Sequence, residues 1–387
     1  MDQTPASDIA KPIFAVKYLL SPTIALACVL AFRWPIWTRV VLFAWYTHHL
    51  LQGMSIHTGE MWSDYSNGST LGGDLFKTLY MLFLVDPIKD WRHKSDGEKP
   101  ISERPWWQRI YWCVCAAMTA RGVGWNYQVS GVPSPSKLNR SMFLCCTAVR
   151  VLASYVLLDV LQFLIQNEPF FNDPQPNSSM RSHNFPTQIF YMILCFGLPY
   201  GALRFYYYIG AFIAIASGYS SQEEWPDLFG SWFDAYSVRT LWGRTWHQTY
   251  RRQLDSIGKA VAHLLGASRG SPVFQMIRIN IAFLVSGVMH AFSGYSIGQH
   301  FGVAFPFFIA QPLAIIFEMF FASTTKKYTT SIPFYVRRCI GYTWTLVWFT
   351  YSASWYIDPI AQAGFGKNDI VSFSVVRFVL ERFIRGS

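Results

Sequence analysis

Charge is scarce in this 387-residue chain. Asp, Glu, Lys and Arg supply 14% of it, against roughly 25% in ordinary soluble proteins, and apolar residues reach 52%. So little polar surface cannot cover so much apolar surface, which excludes an ordinary soluble domain. Repeats and low-complexity tracts are missing, so disordered, collagen-like and coiled-coil classes fall away. The seven cysteines, an odd number, show no metal-ligand spacing. Cys28, Cys113, Cys115, Cys145, Cys146, Cys195 and Cys339 all lie in or beside apolar stretches and read as packing residues. A cleavable leader is not legible either: the first apolar run, 13–32, is longer than a signal-peptide core and lacks a convincing small-residue cleavage site. It reads as a retained span.

What the chain holds in quantity is long apolar runs and aromatic rings. Its 16 Trp, 21 Tyr and 32 Phe suit a medium with a dry core and a wet interface. Apolar stretches recur at 36–51, 75–85, 142–165, 188–217, 273–297, 302–321 and 339–357. With the first run they give about eight candidate spans, a bilayer crossing needing about 20 residues. The run at 75–85 needs flanking polar residues to span, and a further short run at 110–120 suits a re-entrant or interfacial element. The sequence therefore predicts an all-α fold, a polytopic transmembrane helical bundle, with residues 1–387 forming a single integral membrane domain.

Charge then sets orientation. The 32 Lys and Arg exceed the 22 Asp and Glu by ten, which in a membrane protein reads as cytoplasmic loops rather than nucleic-acid binding. Basic residues concentrate in 86–109, 218–272 and 323–338. The last two are separated by two spans, so they share a side, cytosolic by the positive-inside rule. Segment 167–186 is poor in base and carries the sequon Asn177-Ser178-Ser179, so it reads as lumenal and as a candidate glycosylation site.

Ionisable groups inside spans cost about 2.5 to 3.5 kcal/mol even on insertion scales, so each needs a partner or a task. Lys17, Arg150, Asp159, Arg204, Arg278, His290 and Glu318 are in this position. Arg150 and Asp159 are too far apart along one helix to pair with each other and read as members of interhelical ion pairs, while Arg204 and Arg278 suit snorkelling to an interface. His290 shares a helix face with Ser286 and Ser293, and Gly287 leaves room for a close neighbour. Such a histidine is either packed and hydrogen-bonded across an interface or a general base in a low-dielectric tunnel. A second cluster runs from Arg239 to Arg252. Helical spacing there sets Trp242 beside Trp246 and Arg244 near His247, Gln248 and Arg251, giving an interfacial helix or a strip of donors for a phosphorylated carrier or an oxyanion.

Trp242-Gly243-Arg244-Thr245-Trp246-His247-Gln248 resembles the W-G-R-x-W-H-Q signature of the wax synthase-like branch of the membrane-bound O-acyltransferases. Ser286-Gly287-Val288-Met289-His290 is similar to the S-G-x-x-H element that carries that superfamily's catalytic histidine. Arg121-Gly122-Val123-Gly124-Trp125-Asn126 resembles the R-G-x-G-W-N segment common in fungal members. The resemblance covers nearly the whole chain. It implies a membrane enzyme, resident in the endoplasmic reticulum, that transfers an acyl group from acyl-CoA to an alcohol within a tunnel and without a metal. By motif match His290 is the base and His247 the second active-site polar residue, at a place where other branches usually carry Asn. Arg244, Arg251 and Arg252, with Trp246 and Gln248, are the candidate donor contacts. The partners implied are acyl-CoA, a lipophilic alcohol and membrane lipid. Similar short fungal proteins point to acetyl-CoA and a terpenoid or meroterpenoid alcohol of secondary metabolism, with long-chain wax ester synthesis as the alternative. A transporter would use the same buried charges, but the half-to-half symmetry and paired broken helices of many carriers are not visible. The sequence leaves the oligomeric state open.

Overall fold

The computed structural model describes residues 15–329, 331–367 and 369–385. Unpaired backbone amides and carbonyls are costly away from water, and a helix pairs nearly all of them within itself. The apolar runs accordingly become helices. Among the described residues there is no strand, only an isolated bridge between His93 and Trp125, and the fold is all-α. In chain order the main helices are α1 (Ser21–Ala31, entered through a π turn, Ala15–Leu20), α2 (Ile36–Met54), α3 (Met61–Leu79), α4 (Trp106–Met118), α5 (Arg140–Asn167), α6 (Phe185–Ala216), α7 (Arg251–Leu264), α8 (Pro272–Ser296), α9 (Phe305–Thr329), α10 (Phe334–Gln362) and α11 (Val375–Arg385).

Four helices among the described residues are long and apolar enough to cross a membrane: α5, α6, α8 and the Phe305–Tyr328 stretch of α9. Within the described residues the remaining apolar runs are also mainly helical, on shorter or more polar elements. The run at 75–85 is the end of a longer rod, because α3 starts at Met61 in polar sequence and continues through a π turn, Tyr80–Leu84. The run at 110–120 falls in α4, 13 residues long and too short to cross.

Contacts divide the chain into two compact units, Met1–Ser130 with Gln248–Phe320, and Gly131–His247 with Phe321–Ser387. In the first unit an apolar core gathers Leu26 and Leu30 of α1, Met81 and Leu82 of the π turn, Trp112 and Ala116 of α4, and the loop rings Trp91 and Trp125. Beside it α3 lies tightly on α8. A β-carbon at Gly68 would stand 2.7 Å from Phe292 O, and one at Gly72 would stand 3.1 Å from Met289 Cα, so the Gly-x-x-x-Gly spacing is what lets the two backbones approach. The α7 helix packs on α8 through Gly258, and Asp255 joins Arg278 at 2.7 Å and Lys259 at 2.6 Å. Arg278 is thus part of an interhelical ion pair rather than a snorkelling residue.

In the second unit α5 and α6 form an antiparallel pair. Gly197 and Gly201 of α6 admit Leu161 and Leu158 of α5, and the Arg140 guanidinium donates to the Ile215 and Ala216 carbonyls at 3.0 and 3.1 Å, satisfying the carbonyls that end α6. Arg150 pairs with Asp227 at 2.7 Å. This partner lies in the loop after α6, not on another helix. Arg204 stays over the rings of Tyr200 and Tyr208, 5.2 and 5.3 Å from their centroids. Asp159 is fully buried and has no cationic partner among the described residues; its Oδ2 accepts from the Val376 N–H at 2.9 Å instead. None of the seven cysteines forms a disulfide among the described residues. Cys113 and Cys195 are buried as packing residues, but Cys145 and Cys339 are exposed.

Candidate active site

His290 sits on α8 where two glycines open the helix face. A β-carbon at Gly287 would come within 3.1 Å of Phe305 Cδ1 and 3.2 Å of Phe308 Cβ, and one at Gly294 within 3.0 Å of Val303 Cγ1. Both glycines are one turn from His290, so α9 and the loop before it approach closely on that side. The imidazole stacks on the Phe308 ring, with centroids 4.6 Å apart and planes 11° from parallel. Stacking fixes the ring plane while the side chain stays half-buried, an oriented and accessible imidazole. Ser293, on the polar stripe, is fully buried at the α3 contact. The sequence reading missed α3 as the support of this face. The signal was Gly68-x3-Gly72, which hydropathy averaging does not register.

The run from Val238 to Arg252 is not the continuous helix that its spacing suggested. A single turn, Val238–Thr240, passes into a π turn, Leu241–Thr245, and Trp246 is extended, with φ −69° and ψ 154°. The break holds the second unit's part of the motif in an aromatic group. Trp242 and Trp246 lie 6.2 Å apart edge to face, Trp242 meets Phe349 at 5.6 Å, and Phe196 meets Trp246 at 6.2 Å and Phe349 at 5.2 Å. His247 is half-buried with its ring perpendicular to Phe229 at 5.9 Å. Gly230 is required here, since a β-carbon would come 2.1 Å from Arg244 O. The Arg244 side chain is exposed.

The rest of the strip belongs to the first unit. Gln248 is buried and its Oε1 accepts from Arg251 Nη1 at 2.6 Å, leaving Arg251 half-buried and oriented. Arg252 is only 7% exposed. Its guanidinium lies over Tyr127, Trp91 and Tyr80, at 4.2, 4.5 and 5.4 Å from the ring centroids. Rings occupy its faces, and its Nε and Nη1 are buried with no hydrogen-bond partner. Burial pushes the Tyr127 hydroxyl up to about 12 against the pull of that cation.

The segment Arg121–Asn126 builds the same cage. Gly122 and Gly124 take positive φ, 65° and 80°, and a β-carbon at Gly124 would meet His93 Nε2 at 2.7 Å. Asn126 Nδ2 donates to Asp90 O at 2.8 Å, and its Oδ1 accepts from Arg92 N at 3.0 Å. The turn delivers Trp125 to the core and Tyr127 to Arg252. Among the described residues no cluster of three or more His, Cys, Asp or Glu side chains is placed to hold a metal ion.

Residues 225–310, which include His247 and His290, match the family model described as the membrane bound O-acyl transferase family. The chain is 28% identical over 296 residues to Acetyltransferase eriL of Hericium erinaceus, covering 74% of this chain and 75% of that protein. It is 27% identical to Acetyltransferase ple2 of Rhodocybe pseudopiperita over 86% of each chain. It is 25% identical to O-Mevalon transferase yanI of Aspergillus niger, over 77% of this chain and 74% of the relative. No solved structure matches. Helices able to cross a membrane, an oriented histidine on one of them and the match over residues 225–310 agree, and the chain is similar to the membrane bound O-acyl transferase family in that segment and to fungal acetyltransferases over most of its length.

Proposed function

We propose that the protein transfers acetyl from acetyl-CoA to a hydroxyl of a lipophilic terpenoid or meroterpenoid in secondary metabolism, with His290 as general base. The observation that carries this reading is the half-buried imidazole of His290, held against Phe308 on a helix apolar enough to cross a bilayer. The relatives named as acetyltransferases support the acetyl group, and those named as O-mevalon transferases support an alcohol oxygen as the site of transfer.

A thioester needs little electrophilic activation, whereas a neutral alcohol must lose its proton as it attacks. The acceptor oxygen adds to the acetyl carbonyl carbon while the imidazole takes the hydroxyl proton. The tetrahedral intermediate then collapses, the carbon–sulfur bond breaks, and the imidazolium returns the proton to the departing thiolate. No acyl-enzyme is required. His247 is the proposed second polar group, for the oxyanion or the thioester. Arg244 and Arg251, with Trp246 and Gln248, are the proposed contacts of the anionic donor, reached from the basic cytosolic face. The endoplasmic reticulum is the proposed membrane, with 167–186 on its lumenal side.

Microsomes containing the protein, given labelled acetyl-CoA or palmitoyl-CoA with sterol, terpenoid and fatty alcohols, test the reading. An acetylated terpenoid is the expected product. A palmitoyl ester of a fatty alcohol as the sole product would replace it with wax ester synthesis.

A further inference from the structure

One polar stripe lies apart from the catalytic chemistry. Along α5, Tyr155, Asp159, Gln162 and Gln166 recur at helical spacing and share a face, on a helix apolar enough to cross a bilayer. All four engage the chain just before and at the start of α11. Tyr155 Oη donates to Phe373 O at 2.5 Å, and Gln162 Oε1 accepts from Val371 N at 2.8 Å and from Ile370 N. Gln162 and Gln166 donate to Asp369 Oδ1 at 3.2 and 3.0 Å, and Arg377 donates to Gln166 Oε1. The buried Asp159 carboxylate takes the Val376 N–H at 2.9 Å. That amide is one of the free donors of the first turn of α11, where the helix dipole favours an anion. Ser374 Oγ accepts from Arg377 N at 3.1 Å as the side-chain cap.

Beyond this seat α11 is bare. Val375, Val379, Leu380 and Phe383 line one face, with Val379 42%, Leu380 40% and Phe383 75% exposed, while Arg377, Glu381 and Arg382 occupy the other. Eleven residues reach about 16 Å, too short to cross a bilayer, and an apolar face opposite an arginine-bearing one is the pattern of a helix lying in the interface. The helix that seats it also exposes apolar side chains, Val149, Leu152 and Val156, on a segment able to cross a bilayer. Arg377 is held by Asp369 and Gln166 at the seat, and Arg382 adds the positive charge that a lipid phosphate would meet on the polar side.

We propose that α11 is an in-plane membrane helix that buries the Val375–Val379–Phe383 face among lipid acyl chains, and that Asp159 is the buried anchor fixing where it starts. The test is photocrosslinking of the full chain in phosphatidylcholine vesicles containing phosphatidylserine, with benzoylphenylalanine placed at Phe383 or, on the opposite face, at Glu381. Phospholipid adducts at 383 should exceed those at 381 several-fold. Adducts at the mass of two chains would show that a second copy covers the face, and equal labelling or none at the two positions would show that the helix stands in water; each result overturns the proposal. For the anchor, Asp159→Asn keeps an acceptor oxygen and should retain the pattern, while Asp159→Ala should lose the excess at 383. Val376→Pro removes the donated N–H at a first-turn position that tolerates proline, leaves α5 untouched and should lose it too. Native labelling in both Asp159→Ala and Val376→Pro would remove the anchor role.

Discussion

Replacing Gly68 by Ala is expected to damage turnover without touching a reacting group. The new β-carbon would stand 2.6 Å from Ser296 Oγ, 2.7 Å from Phe292 O and 2.9 Å from Ser293 Cα. Two of these neighbours are α8 backbone, so no rotamer change relieves the clash, and α3 has to retreat by roughly 0.5 to 1 Å to restore van der Waals contact. Overpacking of this kind costs about 1–3 kcal/mol, offset by the gain of about 1 kcal/mol that Ala has over Gly inside a helix. The net loss of stability is therefore small, on the order of 1 kcal/mol. Activity should fall further, because the retreat of α3 takes its support from α8 at Ser293, three residues from His290, and a misplacement of about 1 Å can cost roughly 100-fold. Two controls bracket the effect. Gly287→Ala meets only side-chain atoms of Phe305 and Phe308, at 3.1 and 3.2 Å, and Gly243→Ala meets nothing within 4 Å, so the first should be mild and the second neutral. Turnover in vesicles and melting of the detergent-solubilised protein, measured on the three variants, decide the matter. A Gly68→Ala protein as active and as stable as the native one would refute the close α3–α8 contact as the support of the site.

Other consequences follow from the donor side and the orientation. Arg244→Ala or Arg251→Ala should raise the half-saturating acyl-CoA concentration more than it slows saturated turnover, since a contact made equally in ground and transition states mainly sets binding; unchanged half-saturation in both removes them from the donor site. Arg252→Leu should instead lower the melting temperature, through loss of cation–π contacts worth about 0.5–2 kcal/mol each, with little change in half-saturation among molecules that remain folded. The opposite pattern would return Arg252 to the donor site. In intact microsomes, protease added from the cytosolic side should spare 167–186 and cut within 218–272; cleavage at 167–186 reverses the proposed topology.

The candidate site residues of this chain stand out in sequence more than its packing does. His290 and the Trp242–Gln248 run stand out because their residues are adjacent or one helical turn apart, although in the second run that spacing did not determine the local geometry. Partners brought together by tertiary folding leave no such trace. Asp159 reads as half of an ion pair, yet its partner is a backbone amide 217 residues away. Arg278 reads as a snorkelling residue, yet its carboxylate is on the neighbouring helix. The three rings that enclose Arg252 come from distant segments and are likewise invisible in its local sequence. Hydropathy found the end of α3 and lost its polar beginning, where glycine spacing, not apolar content, makes the contact. The π turn at Leu241–Thr245 was hidden for a different reason: its composition is compatible with an ordinary α-helix.

The central claim is that the His290 imidazole takes the acceptor proton. His290→Gln keeps polarity and approximate bulk while removing the titratable base, and His290→Ala removes the side chain as well. The decisive measurement is turnover of both variants with the true acceptor, alongside melting and acyl-CoA binding to establish that each is folded. A general base typically contributes about 10² to 10⁴-fold, so both should lose turnover by that order while still binding acyl-CoA. A well-folded His290→Gln protein with near-native turnover would contradict the assignment.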